Sequence, residues 1–405
     1  MPALLSVDEA LALVLARVPA PRTERLPLDV AAGRVLAEDV AAREDFPAFP
    51  RSRVDGWAVR AAEAHEGAEL APAHEVAAGV VAPPPLPPGA AARVFTGATV
   101  PPGADAVVMQ EDCARDATGR VRVGRAAAPG QHVVPVAYEC ARGALVAARG
   151  TRVSPAVAGA LAAAGAAHVA VHAVPAAHVV ATGDELVAVE DDPPPGRIRN
   201  SNAPALAAAL AAFGARPAAP LRARDDADEL DAAVRTALAG DVCVLTGGVS
   251  VGDFDLVPAT LERAGVERVL HGVRLQPGKP LWFGVRGRTL VFGLPGNPVS
   301  SLVTATLFVR PAVRALLGLP SALPGPTHAV LEGALPAGGA RRRCDPVRLS
   351  HASDGRVTAR PVRYRGSGDV FGFAAADALA VVPEHARAPQ AGDVVEVVRL
   401  SGSDA

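Results

Sequence analysis

One short loop is written three times in variation, each time after an apolar run. The loops are Thr182-Gly183-Asp184-Glu185, Thr246-Gly247-Gly248-Val249-Ser250 and Gly293-Leu294-Pro295-Gly296-Asn297-Pro298. The runs before them are His178-Val179-Val180-Ala181, Val242-Cys243-Val244-Leu245 and Thr289-Leu290-Val291-Phe292. A helix-like segment follows each loop, the first after an intervening linker. Repeated strand, glycine turn and helix fold as an α/β sheet that lines up its ligand-binding loops at the carboxyl ends of its strands. Glycine lets backbone approach a ligand closely, and a helix N-terminus favours an anion. The implied ligand is a phosphorylated small molecule, met by acids in the same loops.

The rest of the chain frames this sheet. At 405 residues it exceeds one ordinary core, so several domains are expected. Ser6-x-x-Glu9 is a capping box, and Leu11, Val14, Leu15 and Val18 follow at helical spacing, which predicts an amphipathic first helix whose stripe needs a partner surface. Residues 74–150 carry short Val-rich runs between Gly and Pro clusters, a β pattern. A helix is predicted over 154–167, ending near Gly165. Strands and helices alternate from 175 to 320, with Ser201 or Asn202 as a helix cap and Asp226 near the start of a second helix; this predicts a parallel, doubly wound sheet. After about Pro320 the helices cease, and a small C-terminal β domain is expected.

Charge and cysteine usage exclude other classes. The net charge is −2, with no basic stripe interleaved with aromatics, so nucleic acid is not an expected partner. Cys113, Cys140, Cys243 and Cys344 are far apart, without metal-ligand spacing, and are read as buried structural residues. Residues 1–20 lack a basic n-region, and the Ala-rich stretch 156–171 is broken by glycine. No membrane partner and a cytoplasmic location are the expectations.

Six motifs carry candidate chemistry, each with a plainer reading. Ser52-Arg53-Val54-Asp55-Gly56 reads as a hairpin turn or as a carboxylate site at Asp55. Thr96-Gly97 opens a loop into a strand, or grips a ligand. The adjacent acids Asp184 and Glu185 serve a helix N-terminus or meet a cation such as Mg2+. Gly247-Gly248 before a helix is an anion nest, with Ser250 inside it and Asp255 just beyond for a metal. Lys279, set between Pro277 and Pro280, is a turn residue or a preplaced cation. Asn297 caps a helix whose first turn holds Pro298, Ser300 and Ser301. Walker A and Rossmann fingerprints are absent. The chemistry on offer is a metal-assisted step on a phosphoester or phosphoanhydride.

Together these motifs resemble one family, the molybdopterin molybdenumtransferases, related to the gephyrin E domain. The matching stretches are 50–60, 96–111, 182–186, Arg197 to Asn202, 246–255, 276–280, 293–301 and Arg365-Gly366-Ser367-Gly368-Asp369. The resemblance implies a discontinuous first domain (1–43 and 142–173, dimerisation), an inserted β domain (44–141), a molybdopterin-binding α/β domain (174–320) and a C-terminal β-barrel-like domain (321–405). It implies an elongated homodimer, which offers the first helix a partner, with the active site shared between subunits. It also suggests other enzymes of cofactor biosynthesis as partners. The implied reaction takes adenylylated molybdopterin and molybdate, with Mg2+, to molybdenum cofactor and AMP.

Carried over residue by residue, the resemblance assigns catalytic roles to Asp55, Thr96, Glu139, Glu185, Asp225, Asp255 and Lys279. It assigns metal contacts to Asp184, Glu185 and Asp255. Cofactor binding falls to Thr182, Gly183, Gly247, Gly248, Ser250, Pro295, Gly296, Asn297, Ser300 and Ser367. Two departures stand out: Val134 where the family has arginine, and Glu139 where it has aspartate. A molybdopterin adenylyltransferase and a non-catalytic, gephyrin-like scaffold are the alternatives.

Overall fold

The computed structural model describes residues 4–249, 256–319, 321 and 327–400. The chain forms two compact units, one of residues 25–171 and one of residues 1–24 with 172–405.

In the unit 25–171 a six-stranded mixed sheet runs in the order Ala106–Met109, Gly56–Val59, Ala90–Val94, Glu69–Val76, Val121–Val123, Cys113–Arg115. Its strands alternate between two cores, as a pleated strand buried on both faces must. Trp57, Val59, Ala91 and Val108 pack on one face, and Ala58, Ala92, Val94 and Val107 on the other. The short strands Arg51–Ser52 and Val133–Val134 pair beside it. The predicted helix is present as Pro155–Ala163, capped by Ser154, and the chain turns at Gly165.

In the other unit the α/β expectation is borne out. Ala176–Thr182, Val242–Thr246 and Thr289–Leu294 pair in parallel, with Leu221–Ala223 beside the first. Helices cover both faces. Val7–Ala16, Asn202–Ala212 and the helical run 298–316 contribute to one core, and Ala227–Ala237 and Leu256–Arg263 to the other. The sheet is not parallel throughout. Trp282–Arg286 and Glu267–His271 run antiparallel at one edge. The reason is local: only Gly287 and Arg288 separate Trp282–Arg286 from Thr289–Leu294, far short of a crossover. Pro298–Leu316 is long and apolar enough to cross a membrane, but 78% of its apolar window is buried inside the chain.

Beyond the sheet, the strands 342–351, 357–361, 327–331, 394–399 and 378–382 pair in that order and close on themselves through 342–351. This five-stranded barrel matches the expected β-barrel-like domain, and Val370–Phe373 forms a short helix in the same region.

The first helix, Val7–Ala16, has its capping box: Glu9 N–H donates to Ser6 Oγ and Ser6 N–H to Glu9 Oε2. Its stripe does not wait for a second subunit. Val7, Ala10 and Val14 are buried in the α/β core of the same chain. Arg342 clamps Asp8 with two bonds of 2.8 and 2.6 Å and holds that carboxyl below its usual range, and Arg17 meets Glu267 at 2.7 Å. Val14→Asp therefore places an unpaired charge in a closed core, at a cost of several kcal/mol. The helix should detach, and limited proteolysis should cut within the first 24 residues at a rate independent of protein concentration. A rate that falls with concentration would mean that a second copy covers the helix.

Candidate active site

The three glycine loops meet because their strands end level. Thr246 pairs with Leu294 on one side and with Ala181 on the other, and Thr182 pairs with Ala223. Gly247 and Gly248 lie in the left-handed region, at φ +95° and +61°. A Cβ on Gly247 would stand 2.5 Å from the Thr182 carbonyl, and one on Gly248 would stand 3.2 Å from Thr182 Oγ1 and 2.9 Å from Val257. A Cβ on Gly296 would reach within 3.6 Å of Gly247 Cα, so the second and third loops lie side by side.

Polar side chains tie these loops together. Asn202 Nδ2 donates to Thr246 Oγ1 (2.8 Å) and to the Gly296 carbonyl (2.7 Å). Thr246 Oγ1 in turn lies 3.1 Å from the Pro295 carbonyl and 3.2 Å from Ser301 Oγ, which also donates to Pro295. His271 Nε2 lies 3.0 Å from the Val249 carbonyl. One hydroxyl is left out. Thr182 is 4% exposed, and its Oγ1 is buried without a hydrogen-bond partner among the described residues. An unpaired buried hydroxyl costs free energy, which sets this atom apart from the satisfied groups around it.

The acids sort themselves by role. Asp226 caps Ala227–Ala237 through the amides of Asp228 and Glu229. Asp225 instead meets the first loop: its amide donates to Asp184 Oδ1 (3.2 Å), and the Asp184 amide donates to Asp225 Oδ2 (3.4 Å). The exchange holds two carboxylates near one another at the strand ends. Glu185 is exposed, and its carboxylate folds over Gly183. Among the described residues no three His, Cys, Asp or Glu side chains converge as a metal site. Ser250 and Asp255 lie outside the described residues.

Lys279 reaches the same sheet edge by a different route. Trp282 pairs antiparallel with Gly293, which brings the start of its strand to the edge where the third loop departs. Just upstream, Leu275 and Gln276 pair with Arg342 and Arg343 of the barrel. Lys279 is exposed, and it is the single lysine of the chain, whose Lys and Arg together number 40.

Two sequence readings of the third loop change. Asn297 stands at the helix N-cap, but its side chain makes no cap bond; it donates to Ser367 Oγ at 3.0 Å, while Val299 N–H donates to the Ser367 carbonyl. A loop of the barrel region thus brings Ser367 to the third glycine loop. Ser300 and Ser301 are 5% and 1% exposed, and Ser301 spends its hydroxyl on Pro295 rather than on an anion. Asn202, expected only as a helix cap, is the tie between loops, and the amide of Ala203 is capped by Asn200. The signal available was an asparagine duplicated two residues apart, which one cap cannot use twice. Cys243 and Cys344 are buried, with thiols pushed up to about 12, but Cys113 and Cys140 are only half-buried.

The unit 25–171 holds the remaining candidates. Thr96 donates both its amide and its Oγ–H to Asp55 Oδ1, each at 2.7 Å. These two bonds, the amide first, hold the Asp55 carboxyl below the ordinary carboxylate range, and the nearby Arg93 charge adds to them. Glu139 accepts from Arg51 Nη2 at 2.6 Å, and Arg51 also covers the Phe46 ring. Val134 pairs with Arg51 across the strands and is 5% exposed. Where the resemblance expects an arginine, this chain buries a valine, and the guanidinium next to Glu139 comes from Arg51.

Comparisons with known proteins converge. The family described as the MoeA N-terminal region (domain I and II) matches residues 5–165, the probable molybdopterin binding domain matches 178–315, and the MoeA C-terminal region (domain IV) matches 328–400. A molybdopterin molybdenumtransferase of Bacillus subtilis (strain 168) is 35% identical over 405 residues, 98% of this chain and 94% of that protein. One of Nostoc sp. is 35% identical over 306 residues, 73% of this chain and 70% of that protein. The solved structure of a molybdopterin biosynthesis MoeA protein from Pyrococcus horikoshii superposes with a TM-score of 0.86 at 33% identity, covering 99% of this chain and all of that one. With three domain matches in order and a relative aligned along nearly its whole length, the chain belongs to the molybdopterin molybdenumtransferase family.

Proposed function

We propose that this protein inserts molybdate into adenylylated molybdopterin in a Mg2+-dependent step that releases AMP. Its family makes it a transferase of molybdenum cofactor biosynthesis. The observation that carries the finer reading is the unpaired Thr182 hydroxyl beneath glycine turns that leave no room for side chains. That cradle suits a phosphate or pterin oxygen, which could accept from the hydroxyl and from the Gly248 amide, the Gly247 amide being spent on the Leu294 carbonyl.

In this reading Asn202, Thr246 and Ser301 keep the cradle rigid, and Asn297 with Ser367 fixes its rim. Lys279 supplies a compact positive charge for an oxyanion at the same edge. Asp55, kept ionised by Thr96, and Glu139, held by Arg51, orient donors of the substrate. Mg2+ fits the donor set, since it uses one or two carboxylates together with water and phosphate oxygens. Asp184 and Asp225 would hold it with the oxygens outside their mutual exchange, with Glu185 beside them, and it would neutralise charge on the phosphates. The molecule is proposed to act as a homodimer in which the two acid sets of one site come from different subunits.

Reconstitution with the adenylate, molybdate and Mg2+ tests the reaction directly, by AMP release. Asp55→Ala and Glu185→Ala should each lower the rate on the order of 100-fold; a wild-type rate in either would remove that residue from the chemistry. Mixing the two inactive proteins should restore part of the activity through exchanged dimers, and no recovery would place both acid sets in one subunit. Thr96→Val removes one donor from Asp55 and should raise its pKa toward the ordinary carboxylate value. Because that pKa is depressed in the folded protein, the charged form is lost only as pH falls through it. The acid limb of AMP release should therefore move to higher pH in the variant; a limb that stays in place means that another group sets it.

A further inference from the structure

A cavity of about 540 Å3 opens on one face of the six-stranded sheet in the unit 25–171. Trp57, His74, Glu75, Arg93, Gln110 and Arg115 are among the residues that line it. The register of the sheet explains the grouping: Arg93 sits directly opposite Trp57 on one neighbouring strand and opposite Glu75 on the other. Arg93 and Arg115 both stack on the Trp57 ring, with guanidinium carbons 5.6 and 5.1 Å from its centroid. Arg93 is steadied further by Gln110 Oε1 and by the Phe95 ring.

Neither arginine has an ion-pair partner among the described residues, although Glu75 shares the cavity. Stacking leaves the in-plane N–H edges of a guanidinium available, and those edges match a tetrahedral oxyanion. His74 adds a third group: it lines the cavity, and its Nε2 has no hydrogen-bond partner among the described residues. A planar base is the poorer fit: Trp57 is 6% exposed, and the two guanidinium groups already lie over its ring.

We infer that this cavity is a second anion site, in which Arg93, Arg115 and His74 hold a tetrahedral oxyanion, either a free inorganic ion or the phosphate of an ester. The inference stands on this cavity alone and does not need the reading of the glycine loops. Arg93 also lies close enough to Asp55 for its charge to be felt there, so the site adjoins the Asp55–Thr96 pair.

Tryptophan emission of the full-length protein reports on it, because the only other tryptophan, Trp282, is fully buried in the other unit. Titration with sodium molybdate, inorganic phosphate and AMP should give a saturable change with at least one of them. Arg115 is exposed, so Arg115→Ala should fold normally by circular dichroism and bind about 10-fold or more weakly. Arg115→Lys should recover part of the loss. The change should persist in Lys279→Ala, which separates this site from the one at the glycine loops. A response to molybdate or phosphate assigns the cavity to a free ion, and a response to AMP alone assigns it to a phosphate ester. No saturable response at millimolar ligand, or equal affinity in wild type and Arg115→Ala, overturns the proposal.

Discussion

Parallel pairing of Val242–Thr246 with both of its neighbours is the constraint on which the ligand-binding unit depends. The strand is buried along its whole length, so its register is fixed by packing on two faces. Val180, Cys243, Leu245 and Val291 serve one core, while Val179, Val244 and Phe292 serve the other. A slip of one residue would turn each set to the wrong side. Because no slip is tolerated, three glycine turns leave the sheet at one level, and everything that binds there inherits that alignment.

The polar atoms around these turns divide into two populations. Thr246, Ser301 and Asn202 are satisfied within the protein and hold the loops in place. Thr182 Oγ1 is not. A buried network that is complete makes a rigid frame, whereas a single open position within it is costly unless a ligand closes it. The same division holds in the other unit, where Asp55 is engaged by Thr96 and Arg93 gives one N–H to Gln110, while Arg115 over Trp57 has no hydrogen-bond or ion-pair partner among the described residues.

Much of this was legible in the residues. Apolar runs, glycine turns and helix caps marked the α/β sheet, and the spacing of the motifs marked the family. What escaped depended on contacts distant in sequence. Nothing near Asn202 says that its amide reaches Thr246 and Gly296. Asn297 looked like a cap because caps are local, yet its partner, Ser367, lies in another domain. The antiparallel edge followed from a connection too short to cross over, a feature hidden by the similar apolar character of all the strands. The first helix was read correctly as amphipathic, but a stripe does not name the surface that covers it, and that surface turned out to be the chain's own core.

The solitary lysine has a practical meaning. In a chain whose other basic side chains at neutral pH are arginines and histidines, a reagent selective for side-chain amines has one address, and that address is the edge where the third glycine loop departs. The residue after it is Pro280, so trypsin cuts poorly at this address. A dye, a spin label or a photo-crosslinker attached at Lys279 would report on that edge alone, without any cysteine having to be engineered.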